Sequence, residues 1–167
     1  MAKLTQLIFE MLETEKPRLF QYASYRLHDI KDVEDILQNL YVKFLSDPKR
    51  FDNVSDARSY IYRVLHNDCC DMLRNLSKTC ALDIESFETL DSESMQPDNF
   101  EEEFALINRL LNLLPEEQSE TIRLRLHSGL QYQEIAEIMD VGLSTAKARF
   151  RYGIEKIRDR LKKEKLL

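Results

Sequence analysis

The sequence predicts an all-α protein built from two small helical domains. Apolar residues recur every three or four positions through most of the 167 residues, which is the spacing of helices that bury one face. Only three glycines and four prolines interrupt this spacing. One stretch, 77–99, is instead acidic and rich in serine, and we predict a flexible linker there. The linker separates a domain at 1–76 from a domain at 100–167.

Three helical stretches are expected in the first domain. Apolar periodicity runs from Leu4 to Leu27 and is interrupted by Pro17, which predicts two helices with the proline at the start of the second. A further helix is predicted over Lys31–Leu45 and a long one over Ala57–Leu76. The segment Phe51–Asp56 between them has the composition of a short loop with a helix cap at its end.

The second domain is expected to hold four helices. Apolar residues from Phe104 to Leu114 predict the first, and Pro115 at a first helical position predicts the start of the next. That helix should run to about His127, with Gly129 as its stop. Residues 130–160 predict two helices around a tight turn at 140–142, which is the pattern of a helix-turn-helix.

The last helix is two-faced, and its charge contrasts with that of the whole chain. The chain carries a net charge of −6, yet residues 143–167 hold nine basic against three acidic side chains. An apolar stripe would bury one side of the helix; it comprises Ala146, Phe150, Ile154, Ile157 and Leu161. A helix that buries one face and presents cations on another can lie in a DNA groove. The predicted DNA-facing residues are Ser144, Thr145, Lys147, Arg149 and Arg151.

Two groups of residues could in principle form a metal or catalytic site. The carboxylates Asp32, Glu34 and Asp35 favour either a solvated helix start, a partner-docking face or a metal-assisted enzyme. A zinc site formed by His66 and the three cysteines would not match any standard zinc spacing. We therefore predict no catalytic residue, no metal site and no cofactor.

The composition also bears on location. No run of about 18 or more apolar residues is present, so no membrane insertion is expected. The first residues do not have the layout of a signal peptide, and three irregularly spaced cysteines do not form a disulfide framework. A cytoplasmic protein is the expectation.

Several segments, in this order, resemble bacterial sigma factors of the sigma-70 family, and most closely the small extracytoplasmic-function (ECF) group. DVEDILQNLYVKFL at 32–45 is similar to the family's helix that binds core RNA polymerase. ARSYIYRVLHNDCCDMLR at 57–74 is similar to its helix for the −10 promoter element. The most specific words are LPEEQ at 114–118 and EIA at 134–136, in the part that is similar to its −35 domain.

This resemblance implies a region 2-like helical bundle, a region 4-like helix-turn-helix and a role in transcription initiation. Asp32, Asp35 and Gln38 would contact core RNA polymerase. The −10 element would be contacted by Arg63, Asn67, Asp71 and Arg74. Apart from the resemblance, the residues of this helix favour either a solvated polar face or contact with nucleic acid, with Tyr60 and Tyr62 nearby to stack on bases. The −35 duplex of the promoter DNA would meet the five residues of the last helix. An anti-sigma factor is a further candidate partner.

Two other functions remain open from the residues. A helix-turn-helix DNA-binding regulator would work without core polymerase, but it would not explain the pattern at 32–45. A metal-dependent hydrolase would use Asp32, Glu34 and Asp35, and it lacks the further ligands that such a site needs.

Overall fold

The computed structural model describes residues 2–80 and 99–164. Every regular element in these residues is helical, which confirms the all-α prediction. A short 3₁₀ turn, Pro48–Phe51, joins the second and third helices. The α-helices within the described residues are α1 Ala2–Arg26, α2 Ile30–Ser46, α3 Ala57–Cys80, α4 Asn99–Asn112, α5 Glu116–Leu126, α6 Tyr132–Ile138 and α7 Leu143–Lys163.

Helix α1 is one continuous helix, and the prediction of two helices meeting at Pro17 was wrong. Proline removes a backbone N–H and usually kinks a helix interior. Here Pro17 lies on the exposed side of α1, while Leu12 and Leu19 on either side of it are fully buried. Packing of the opposite face therefore holds the helix together across the proline.

Helices α2 and α3 match their predictions closely. The Asp29 carboxylate caps α2 by accepting a hydrogen bond from the Lys31 N–H at 2.8 Å. The Asp56 carboxylate caps α3 in the same way, accepting from the N–H groups of Arg58 at 3.1 Å and Ser59 at 3.3 Å. Both helices pack on α1 around buried Phe44 and other large side chains.

The boundaries of the predicted linker need correction. Helix α3 continues to Cys80, and α4 already begins at Asn99, so both ends of the predicted segment 77–99 are helical. The rest of the predicted linker lies outside the described residues.

The two halves of the chain share one hydrophobic core. Leu124 of α5, Leu130 before α6, and Ile135 and Ile138 of α6 belong to the same buried cluster as the core of α1–α3. A smaller cluster joins Tyr25 of α1 to α4, α5 and α7. The two predicted domains are therefore packed against each other.

Candidate nucleic-acid interface

The five residues predicted to face DNA occupy the first half of α7. Ser144, Thr145, Lys147 and Arg151 are exposed, and Arg149 is half-buried. Since residues three and four apart are neighbours on a helix, Ser144, Lys147 and Arg151 form one row and Thr145 and Arg149 form a second. The structure therefore presents two polar rows on the accessible sides of α7 and not a single strip.

Close packing on α5 fixes the position of α7. Ala146 is fully buried, and Phe150, Ile154 and Ile157 are half-buried, as the apolar stripe predicted. Gly153, which the sequence reasoning missed, is buried at the contact between α7 and α5. A Cβ atom at Gly153 would lie 2.6 Å from Cδ1 of Ile122. A larger residue there would move α7 away from α5.

The turn between α6 and α7 uses one left-handed residue. Asp140 adopts a φ of 53°, whereas Gly142 has a φ of −71° and is the N-cap of α7. The turn therefore needs only one residue with positive φ, and Asp is among the few that tolerate it. At the other end of α6, the Glu134 carboxylate accepts a hydrogen bond from the Gln131 N–H at 2.5 Å and caps the helix.

The residues predicted to lie near −10 DNA fall on one side of α3. Asn67, Asp71 and Arg74 are exposed, and the Arg74 guanidinium donates to Asp71 at 2.9 Å. Arg63 is half-buried and lies 3.9 Å from the carboxylate of Glu137 in α6. The second half of the chain therefore covers the beginning of this surface and leaves its end accessible.

The prediction that Tyr62 stacks on bases was wrong. Its ring is fully buried, and its hydroxyl donates to the Glu15 carboxylate at 2.9 Å. Tyr60 is half-buried and packs against Phe44 and Phe51 with ring centroids 5.7 and 5.4 Å apart. The helical spacing of α3 turns Tyr62 toward α1, which the aromatic character alone could not indicate.

A polar surface runs along the outer side of α2. Asp35 and Gln38 are exposed and face away from buried Val33 and Ile36. Asp32 is half-buried and lies one turn from Ile36, at the edge of this surface. These three residues, predicted to contact core polymerase, thus share an accessible face that a partner could bind.

A buried polar cluster between the two halves was not predicted. The Glu120 carboxylate of α5 is 1% exposed and accepts hydrogen bonds from the Tyr22 hydroxyl and from Nδ1 of His66 at 2.8 Å. It also lies 3.1 Å from Nε of Arg26. Burial alone would raise the pKa of Glu120, but the His66 hydrogen bond and the Arg26 charge outweigh it and lower the pKa to about 2.

His66 and Cys70, one turn apart on α3, extend this cluster. Burial lowers the pKa of His66, but hydrogen bonds with Cys70 and Glu120 overcome this and raise it to about 9. The Cys70 Sγ lies 3.7 Å from Nε2 of His66 and accepts from the Arg26 guanidinium at 3.4 Å. Although burial opposes it, these two contacts lower the pKa of Cys70. The cluster is therefore a charged network in the protein interior.

One sequence signal for this cluster existed. Helix α5 lacks a clear apolar stripe because Ser119, Glu120, Thr121 and Arg123 interrupt it, yet all four are buried. Ser119 and Thr121 donate to carbonyls of their own helix, but the buried charges of Glu120 and Arg123 need further polar or charged partners. The sequence reveals the need for a partner but not which residues supply it.

The described residues contain no group of three or more His, Cys, Asp or Glu side chains that could hold a metal ion. Cys69 is buried in the apolar core, whereas Cys70 contacts His66. Among the described helices, none is long and apolar enough to cross a membrane.

Family models match both halves of the chain. The model for sigma-70 region 2 matches residues 11–79, and the model for sigma-70 region 4 matches residues 104–157. Two solved structures share the fold: the sigma factor RpoE with the anti-sigma factor NepR from Bartonella quintana (TM-score 0.72, 20% identity, 92% of this chain and 95% of that chain) and CnrH with the cytosolic domain of CnrY (TM-score 0.73, 18% identity, 96% and 94%).

Curated relatives agree with these matches. RNA polymerase sigma factor SigV of Bacillus subtilis (strain 168) is 27% identical over 96% of this chain and 94% of its own length. The ECF RNA polymerase sigma-E factor of Escherichia coli (strain K12) is 30% identical over 71% of this chain and 68% of its own. The chain belongs to the sigma-70 family of RNA polymerase sigma factors, in its ECF group.

Proposed function

We propose that this chain is a transcription initiation factor that binds core RNA polymerase and directs it to promoters by recognising −10 and −35 elements. One observation carries the proposal: the two family models match in the family's order, and α2, α3 and α7 each keep an accessible polar face. A DNA-binding regulator acting without polymerase is not favoured, since region 2 would then have no role.

We assign −35 recognition to Ser144, Thr145, Lys147, Arg149 and Arg151 at the start of α7. Arginine and lysine neutralise phosphates and read guanine edges in the major groove, and Ser and Thr hydroxyls hydrogen-bond to bases or phosphates. The Arg151 guanidinium lies 4.9 Å from the ring centroid of Tyr152, which stabilises the cation beside the ring.

The polar faces of α3 and α2 are assigned to −10 DNA and to core polymerase. We assign contact with −10 DNA to Arg63, Asn67, Asp71 and Arg74 on α3, and contact with core polymerase to Asp32, Asp35 and Gln38 on α2. Both solved structures named above contain an anti-sigma factor, which supports such a protein as a further partner. A factor that binds core polymerase and promoter DNA would act in the cytoplasm.

Reconstitution with bacterial core polymerase tests the function. We expect co-elution with core and run-off transcription that depends on a promoter. A protein that binds promoter DNA alone and never binds core would contradict the proposal and favour the regulator.

A matched pair of variants tests the α2 surface. Asp35→Ala should weaken core binding by roughly 10-fold, about 1.4 kcal/mol, because the group on polymerase that pairs with Asp35 would lose the carboxylate. Glu34→Ala removes the same charge from a neighbouring exposed position and should leave binding nearly unchanged. Equal losses in both variants would show that only the overall charge of α2 matters.

A second pair tests α7. Lys147→Ala should weaken binding to −35 DNA and reduce the salt dependence of binding by about one released counterion. Lys162→Ala removes one exposed cation near the other end of the same helix and should have a much smaller effect. Core binding should not change in either variant.

A further inference from the structure

Two adjacent cysteines of α3 lie in opposite environments. Cys69 is fully buried in the apolar core, and burial raises the pKa of its thiol. Cys70 is half-buried and remains partly accessible to solvent. Because consecutive residues point about 100° apart around a helix axis, the two thiols face different sides of α3. A reagent in solution can therefore reach Cys70 but not Cys69.

Cys70 belongs to a cluster with two groups that can carry positive charge. Its Sγ lies 3.7 Å from Nε2 of His66, one turn earlier on α3. The Arg26 guanidinium of α1 donates to the same sulfur atom over 3.4 Å, from a side chain that is only 9% exposed. A thiolate on Cys70 would therefore have two hydrogen-bond donors already in position.

The charge of His66 follows from the partner of its other ring nitrogen. Nδ1 lies 2.8 Å from the ionised carboxylate of Glu120 in α5. Burial opposes protonation of the ring, but the hydrogen bonds with Cys70 and Glu120 raise the pKa of His66 to about 9. Both nitrogens of the imidazolium carry a proton, so Nε2 donates toward Sγ while Nδ1 donates to Glu120.

The surroundings of Cys70 favour its thiolate. Burial opposes ionisation, but His66 and Arg26 outweigh it and lower the pKa of Cys70. Asp71, the next residue along the chain, is exposed and accepts a hydrogen bond from Arg74 at 2.9 Å. A partly exposed thiol beside cationic groups is the environment in which protein cysteines react as nucleophiles.

We propose that Cys70 is a modification site at which hydrogen peroxide oxidises the protein to a sulfenic acid. The Cys70 thiolate attacks one peroxide oxygen, so that an S–O bond forms from a sulfur electron pair and the O–O bond breaks. The departing hydroxide takes the proton from Nε2 of His66 and leaves as water. The sulfur atom loses two electrons, which the peroxide gains, and His66 recovers a proton from solvent.

The position of Cys70 gives the modification a consequence for the surface assigned to −10 DNA. Asn67 and Arg74 lie three and four residues away, in one row with Cys70 on α3. The sulfenic acid can condense with glutathione, which forms a mixed disulfide and releases water. The bound anionic tripeptide would cover this row and repel DNA phosphates. This consequence rests on the proposed function, whereas the oxidation of Cys70 does not.

Trapping with dimedone, a reagent for sulfenic acids, tests the site on the full native chain. After treatment with hydrogen peroxide at pH 7, Cys70 should be labelled at least about 10-fold faster than Cys69, because an ordinary thiol is only a few per cent ionised at this pH. Fragment mass spectra distinguish the two neighbours. Absence of label on Cys70, or equal rates at both residues, would overturn the proposal.

The pH dependence of alkylation by iodoacetamide tests the cause. The rate at Cys70 should reach half of its maximum at a lower pH than an ordinary thiol, for which the midpoint is about 8.5. His66→Gln should move the midpoint up toward that value, whereas His28→Gln, at an exposed position, should not. A wild-type midpoint at or above about 8.5 would overturn the proposal, even if His66→Gln lost its helical circular dichroism. An unchanged midpoint in folded His66→Gln would overturn the role of His66.

Promoter-dependent transcription with core polymerase tests the consequence. Wild-type protein that carries glutathione on Cys70 should be several-fold less active than the reduced protein, and dithiothreitol should restore the activity. Cys70→Ser should be insensitive to the same peroxide and glutathione treatment. Equal activity of modified and reduced wild type, or equal sensitivity of Cys70→Ser, would overturn the effect on DNA contact. If reduced wild type directed no transcription, the proposed function would fail while the labelling of Cys70 would stand.

Discussion

The two halves of the molecule are stabilised in different ways. The first half buries large side chains among its own three helices; they include Leu12, Leu19, Phe44, Ile61 and Tyr62. The second half has a smaller cluster of buried apolar side chains, and that cluster includes Tyr25 of α1. The first half therefore supplies most of the shared core, whereas the second half completes its burial by docking.

The difference extends to polar groups. Arg58 and Tyr62 in the first half converge on Glu15. The buried carboxylate of the second half, Glu120, has its hydrogen-bond and charge partners mainly across the interface. A domain whose buried charge is paired with groups of the neighbouring domain is stabilised in the docked position. When the domains separate, that charge loses these partners and must be solvated by water.

Phe44→Ala should have the largest effect on stability among the variants that test this difference between the two halves. Phe44 is fully buried and packs against Phe51 with ring centroids 5.0 Å apart, so the cavity should lower the free energy of unfolding by about 3–5 kcal/mol. Because the second half docks on the first, amide hydrogen exchange should accelerate in α5–α7 as well as in α1–α3.

The matched control for that experiment is Val42→Ala, two residues away and 66% exposed, which should change stability by less than about 0.5 kcal/mol. If protection in α5–α7 were unchanged in Phe44→Ala, the second half would be independent of the first and the comparison would fail.

The next effect concerns pH. Burial opposes it, but hydrogen bonds with Cys70 of the same helix and with Glu120 of the second half raise the pKa of His66 from 6.5 to about 9. Because Glu120 lies on the second half, the protonated imidazole favours docking of the two halves. This contribution is fully present below pH 6.5 and is lost as the pH rises through 9, with an upper limit of about 3 kcal/mol. The titratable groups in contact with His66 are Tyr22 of α1, Cys70 of α3 and Glu120 of α5. Glu120 is paired in turn with Arg26 of α1 and Arg123 of α5.

Scattering between pH 6 and pH 9.5 would measure this loss as an increase in the radius of gyration. His66→Gln should show a flat profile over the same range. Since the pKa of Glu120 is lowered to about 2, its own contribution is complete above pH 4.5 and does not vary within this window. A wild-type radius that is constant from pH 6 to pH 9.5 would contradict the role of His66.

Whether a structural feature could be predicted from the sequence depends on how far apart along the chain the residues that form it lie. Helix positions are local, and the apolar spacing around Ala146 and Phe150 predicted α7 within a few residues. Pro17 was misread because the packing that keeps α1 continuous comes from other helices. The pairing of His66 with Glu120 joins positions 54 residues apart, and no local pattern encodes that.

A smaller effect is expected from Gly153→Ala at the contact between α5 and α7. Alanine favours helix by about 1 kcal/mol over glycine, but its Cβ would lie 2.6 Å from Cδ1 of buried Ile122, and overpacking costs about 1–3 kcal/mol. We expect a net loss of about 1 kcal/mol in chemical denaturation. Adding Ile122→Val removes that methyl group and should recover part of the loss, whereas an additive double variant would rule out this clash.

The smallest effect should come from the exposed pair at the same interface. Arg63 and Glu137 are 43% and 54% exposed and 3.9 Å apart, and exposed pairs contribute about 0.2–1 kcal/mol. A double-mutant cycle with Arg63→Gln and Glu137→Gln should therefore give a coupling energy in that range that disappears at high salt. The same cycle on Arg26→Gln and Glu120→Gln should give a larger coupling that salt hardly changes, because water and ions do not reach the buried pair. Equal couplings would show that burial does not distinguish Glu120 from the surface contacts around it.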